Sequence, residues 1–100
     1  MHKGITATAN GFYGPQGRSL RLAAKIPNLN EQLNKFNHNG LKITNFEMET
    51  SALYALAGML GHNACTVCAI IANRFKEEYS KNYKLTVDKL IKLVLSRLSK

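Results

Sequence analysis

At 100 residues, 45% hydrophobic and 20% charged, the chain has the composition of a globular protein of at most one domain, which excludes a disordered polypeptide. Its formal charge of +8 permits an anionic partner. Yet the lysines and arginines are scattered from Lys3 to Lys100, with no zinc-finger spacing and no basic–aromatic repeat, so no nucleic-acid partner is expected. No apolar run reaches the ~18 residues of a membrane span, and Met1-His2-Lys3-Gly4 lacks the apolar region of a secretory signal, so a cytoplasmic protein with no membrane partner is expected.

In chain order, residues 4–9 alternate small and β-branched types and predict a buried strand. Residues 10–17 hold three glycines and a proline and predict a loop, with two aromatics and a glutamine inside it. Residues 28–37 predict a short helix with Leu29, Leu33 and Phe36 on one side, stopped by Asn39-Gly40. A strand is expected over 41–46. A helix follows over 48–60, with Ala52, Leu53, Leu56, Met59 and Leu60 at three-four spacing and Gly61 as its stop. Residues 64–72 are almost continuously apolar, which predicts a strand covered on both faces. Val87, Leu90, Ile91, Val94, Leu95 and Leu98 form the stripe of a C-terminal helix. Its basic residues, with Lys81, Lys84, Lys89, Lys92, Arg97 and Lys100 in or beside it, read as a solvated face. The order is α/β with a parallel or mixed sheet. Three strands and three helices make a thin α/β core, so the chain is expected to be the C-terminal piece of a longer one, or to rely on a partner.

Two stretches carry chemistry. Glu47-Met48-Glu49 places two carboxylates and an apolar side chain where a strand hands over to a helix. Helix capping accounts for this. So does an acceptor pair for vicinal hydroxyls beside an apolar surface, which suits a ribose. Phe12 to Arg18 offers a glutamine whose amide complements the donor–acceptor edge of uracil, an arginine to donate to a carbonyl, and an aromatic surface. A turn with ordinary polar residues accounts for that stretch equally.

The order of the motifs goes further. Phe12-Tyr13-Gly14-Pro15-Gln16-Gly17-Arg18 resembles the Phe-Tyr-x-x-Gln-x-Arg pyrimidine-binding loop of uridine phosphorylases. Asn45-Phe46-Glu47-Met48-Glu49-Thr50 resembles their Asn-x-Glu-Met-Glu-Ser segment. Val67 to Arg74 is similar to the family strand that ends in Asn-Arg. The resemblance runs from about Gly4 onward. It departs at Gly14-Pro15, which inverts the Pro-Gly order of some members, and in a shorter connection between Arg18 and Asn45.

What the resemblance implies is phosphorolysis of uridine to uracil and ribose 1-phosphate by a pentosyltransferase of nucleoside catabolism and pyrimidine salvage. The implied fold is part of a three-layer α/β/α nucleoside-phosphorylase-like architecture with a mixed sheet, of which residues 1–100 form a C-terminal portion with no second domain. Gln16 and Arg18 would hold the uracil edge and stabilise charge on the departing base, with Arg21 the alternative to Arg18. Phe12 would pack beside the base. Glu49 would bind ribose hydroxyls, with Glu47 close by and Met48 lining the sugar pocket. Ile70 and Ile71 would wall the base pocket, with Arg74 near it. Inorganic phosphate is the implied co-substrate, with no cofactor and no metal. A homo-oligomer is implied because family sites borrow residues across a subunit interface. Purine-cleaving relatives place an aspartate after the last strand, where this chain reads Ala72-Asn73-Arg74. The family's phosphate-binding arginines and glycine-rich loop belong to its N-terminal part, so the isolated chain is expected to be inactive. A non-catalytic nucleoside-binding remnant and a small basic nucleic-acid-binding protein are the alternatives.

Two sets of residues are set aside. His2, His38 and His62 lack metal-ligand spacing, and His38 and His62 read as residues beside helix C-termini. Cys65 and Cys68 read as buried packing, since residues three apart in a strand face opposite ways.

Overall fold

The computed structural model describes residues 1–74 and 76–100. They form two units, Met1–Cys65 and Thr66–Lys100.

The first unit is built on a mixed three-stranded sheet in the order β1 (Ile5–Thr8), β3 (Leu41–Glu47), β2 (Asn37–His38). β1 runs parallel to β3, and β2 antiparallel to it. A parallel pair needs a long crossover, and residues 9–36 supply it, including helix α1 (Leu29–Lys35). The register skips a residue between Ile5 and Thr6, after which Ala7 lies opposite Phe46 and Thr8 opposite Glu47. The two strands therefore end level. α1 lies beside β3, and α2 (Thr50–Met59) beside β1.

Asn39-Gly40 departs from expectation. α1 ends at Lys35, and Phe36 is already extended. Asn39 and Gly40 have φ of 52° and 80°, and together they make the two-residue turn of the β2–β3 hairpin. The positive φ that could stop a helix here folds a hairpin. His38 accordingly lies in β2, opposite Leu41, and not at a helix end. α2 does end as its glycine predicts. Gly61, at φ 74°, donates to the Gly58 carbonyl at 3.2 Å and His62 donates to the Ala57 carbonyl at 2.8 Å, the paired bonds of a Schellman motif.

The second unit corrects the expected strand over 64–72. Only Ala72–Asn73 (β4) forms a ladder, antiparallel to Glu78–Tyr79 (β5). Ser80 extends the pairing by donating to the Ile71 carbonyl at 2.7 Å. Residues 64–71 carry the composition of a central strand, but composition supplies no neighbour, and a central strand needs one on each side. Cys65 and Cys68 are exposed rather than buried. α3 (Tyr83–Leu98) follows, its first turn capped by Asn82, whose side-chain oxygen accepts from the Leu85 N–H at 3.4 Å. Lys92 and Asp88 pair across one exposed turn at 3.6 Å, the arrangement of a solvated basic face. No helix among the described residues is long and apolar enough to cross a membrane.

The apolar stripes are less covered than their periodicity implies. Among the described residues Ala9 alone is a buried hydrophobic. Leu53, Leu56, Met59 and Leu60 of the α2 stripe are exposed, Met59 at 82%, as are Ile91, Leu95 and Leu98 of the α3 stripe.

Because the hairpin needs a left-handed residue at position 40, Gly40→Val is expected to weaken it by about 1–2 kcal/mol. Amide hydrogen exchange checks this: exchange accelerates at residues 37–42, while the β1–β3 pairs keep their protection.

Candidate functional site

β1 and β3 deliver two segments to one sheet edge. Beyond Thr8 the chain enters the loop of Phe12, Gln16 and Arg18. Beyond Glu47 it enters Met48-Glu49 and α2. The Ala9 N–H donates to the Glu47 carbonyl at 2.9 Å and ties the two exits together. The carboxyl ends of parallel strands are where α/β folds place ligands.

The loop is shaped by a single 3-10 turn, Gly14–Gln16, with Pro15 in its first positions. Gln16 and Arg18 both donate their backbone N–H to the Tyr13 carbonyl, at 3.1 and 3.0 Å. Gly17, at φ 76°, donates to the Gly14 carbonyl at 2.9 Å. The positive φ favours glycine there, and a Cβ would stand 3.1 Å from the Asn30 side chain, which would have to give way. The turn brings three of the expected residues into contact. The Arg18 guanidinium lies 4.0 Å from the centre of the Phe12 ring and 6.0 Å from that of Tyr13. Its Nη1 donates to the Phe12 carbonyl and, at 3.4 Å, to Gln16 Oε1. Phe12 and Tyr13 meet edge to face at 5.4 Å. Gln16 is buried at 3% exposure and Phe12 is exposed. The ring face attracts the cation, so aromatic surface, amide and positive charge are gathered within one loop. Arg21, the alternative to Arg18, lines a recess of about 660 Å³ that Tyr13, Pro15 and Arg18 of the same loop also line, with Leu20, Leu22 and Ile26.

The second segment is organised by Glu47. Its Oε1 accepts from the Thr8 hydroxyl. Its Oε2 accepts the backbone N–H groups of Glu49 at 2.8 Å and Thr50 at 2.5 Å. The Ser51 N–H donates to Thr8 Oγ1 at 3.0 Å. The first amides of α2, which have no partner within the helix, are thus held by a carboxylate and a hydroxyl from the two strand ends. Glu49 and Met48 are exposed at the same edge, and Glu49 Oε2 accepts from the Met48 N–H at 3.3 Å. Partial burial pushes the Glu47 carboxyl up, but hydrogen bonds from the Thr8 and Thr50 side chains and from the Glu49 and Thr50 amides outweigh it. They hold the pKa down at about 2, against an ordinary 4.5.

The remaining expected residues, Ile70, Ile71 and Arg74, belong to the second unit. Ile70 and Ile71 are exposed, and Arg74 opens the turn between β4 and β5. Thr8 is the functional candidate that sequence reading missed. A lone threonine in a strand carries no signal beyond its β propensity.

The pKa of Glu47 has a pH signature. A carboxyl whose folded pKa lies below its unfolded value contributes stability above the unfolded pKa and loses it as pH falls through the folded one. The β3–α2 junction is therefore expected to be at full strength above about pH 5 and to loosen between about pH 4.5 and 2. Carbon-13 NMR of the Glu47 carboxyl reads the midpoint directly, and Glu47→Gln removes this pH dependence.

Comparison with known proteins places the chain in a family. The Phosphorylase superfamily family model matches residues 1–99. A uridine phosphorylase of Thermococcus kodakarensis is 41% identical over 86 residues, which cover 80% of this chain and 28% of that protein. A uridine phosphorylase of Haemophilus influenzae is 30% identical over 95 residues, covering 93% of this chain and 37% of that protein. The chain thus spans roughly a third of the length of the curated relatives it matches. No solved structure matches the chain significantly. With the motifs of its two strand exits and a match along 1–99, the chain belongs to the phosphorylase superfamily.

Proposed function

We propose that this chain is the nucleoside-binding part of an enzyme that cleaves uridine with inorganic phosphate, giving uracil and ribose 1-phosphate. The observation that carries the reading is the level ending of β1 and β3. It sets the Phe12–Arg18 loop and the Glu47–Glu49 segment on one edge, joined by the Ala9 to Glu47 hydrogen bond. The names of the two relatives support uridine as the nucleoside.

In the reaction, a phosphate oxygen forms a bond to the anomeric carbon as the glycosidic C–N bond breaks, and the electron pair leaves with the base. Gln16 and Arg18 hold the uracil edge, and the Arg18 cation offsets the negative charge growing on the base. That interaction is stronger in the transition state than in the ground state, which is what accelerates chemistry. Phe12 supports the base. Glu49 takes the ribose hydroxyls, with Glu47 close by and Met48 against the sugar, and so orients a ring gaining oxocarbenium character. The family resemblance assigns Ile70, Ile71 and Arg74 to the base site as well. Phosphate is the co-substrate, and the reaction requires no cofactor and no metal.

The whole enzyme, in this reading, is a cytoplasmic homo-oligomer of nucleoside catabolism and pyrimidine salvage. Residues 1–100 are the C-terminal portion of its three-layer domain. The exposed stripes of α2 and α3 support that placement, because amphipathic faces of this kind are ordinarily covered by a further layer. The phosphate-binding groups lie in the remainder, so the isolated chain binds nucleoside weakly and does not turn it over.

Equilibrium binding to the 100-residue chain tests the reading. Uridine is expected to bind more tightly than adenosine, and Arg18→Ala to weaken uridine about tenfold, the cost of one charged hydrogen bond. Equal affinity for the two nucleosides would count against a pyrimidine site. Phosphate-dependent release of uracil by this chain alone would overturn the assignment of phosphate binding to the remainder.

A further inference from the structure

We infer that Thr8 is a positioning residue for the sugar site: acting through Glu47 and the first turn of α2, its hydroxyl sets the place of Glu49. The inference rests on the nucleoside reading above and assigns that site a residue outside its recognition motifs.

Thr8 is the last residue of β1. Its hydroxyl donates to Glu47 Oε1 and accepts the Ser51 N–H at 3.0 Å, reaching across 39 and 43 positions of sequence. Glu47 in turn holds the N–H groups of Glu49 and Thr50 through Oε2. Three consecutive amides, 49 to 51, are thus referred to one hydroxyl on the strand that launches the base-binding loop. Glu49 is the N-cap of α2, at φ −127° and ψ −24°; its carbonyl accepts the Leu53 N–H at 3.1 Å, but no helical hydrogen bond takes up its own N–H. The Glu47 carboxylate is what holds it, and Thr8 anchors that carboxylate to β1.

The chemistry explains why a hydroxyl stands here. The group must donate to a carboxylate while accepting from an amide. Serine and threonine do both as neutral, compact groups. Valine has the same shape and the same preference for a strand, and can do neither. A threonine present only for its strand propensity would be replaceable by valine without effect on ligand discrimination. A threonine that registers the sugar-binding carboxylate against the base-binding loop would not.

The test compares the wild-type chain with Thr8→Val and Thr8→Ser, using uridine and 2′,3′-dideoxyuridine as ligands. The wild type is expected to favour uridine. Thr8→Val weakens uridine about tenfold and leaves dideoxyuridine unchanged, and Thr8→Ser restores uridine binding. Equal loss for both ligands, or loss for neither, overturns the inference. A second measurement does not depend on ligand. In Thr8→Val the Glu47 carboxyl titrates at higher pH than in the wild type, and the Glu49 and Thr50 amides lose exchange protection. Unchanged values of both would overturn the relay. If the wild type does not distinguish the two ligands, the nucleoside reading fails, and the carboxyl and amide measurements still decide whether Thr8 fixes Glu49.

Discussion

The Glu47 carboxylate, held between Thr8 and the first amides of α2, is the interaction on which the sheet edge depends. β1 and β3 end level, and each must surrender its chain to an irregular segment. At such an edge backbone donors run out of ladder partners. Glu47 resolves this by accepting from the Glu49 and Thr50 amides and from the Thr8 hydroxyl, and the negative charge suits the positive end of α2. The same bonds keep the carboxylate ionised far below its ordinary range. One ionised side chain thus joins two strands and a helix.

That arrangement divides inward from outward side chains within three residues. Glu47 turns inward to the protein's own donors, whereas Met48 and Glu49 are left exposed. In the loop that follows β1 the division repeats. Gln16 is buried within its 3-10 turn, Phe12 is exposed, and Arg18 stacks on Phe12 while donating to both Gln16 and the Phe12 carbonyl. In the proposed site, groups oriented in this way by the protein's own hydrogen bonds would limit the entropy lost when a ligand is held.

Much of this was legible in the residues. The ends of β1 and β3 fall within a residue or two of the expected strands over 4–9 and 41–46, and Gly61 stops α2 as its conformational freedom requires. The motif of the loop proved to be a contact set. What could not be read concerns partners distant in sequence. Asn39-Gly40 encodes positive φ, and whether that stops a helix or turns a hairpin depends on whether residues 37–38 find a strand to pair with. The apolar run 64–72 encodes burial without naming its neighbours, so it predicts a strand where only Ala72–Asn73 forms a ladder. The α2 stripe encodes a face to be covered, and Leu56 and Met59 remain exposed. Thr8 was illegible for the same reason: its significance lies in Glu47 and Ser51, about forty residues away.

The central claim is that two segments brought together at one sheet edge bind one nucleoside. The most direct measurement is an NMR titration of the isotopically labelled chain with uridine. The account predicts that amides of residues 12–18 and 47–51 shift together along one saturable curve, with the Arg18 guanidinium and Glu49 carboxyl resonances among those that move. Shifts confined to the basic face of α3, or loop and helix segments saturating at different concentrations, would contradict it.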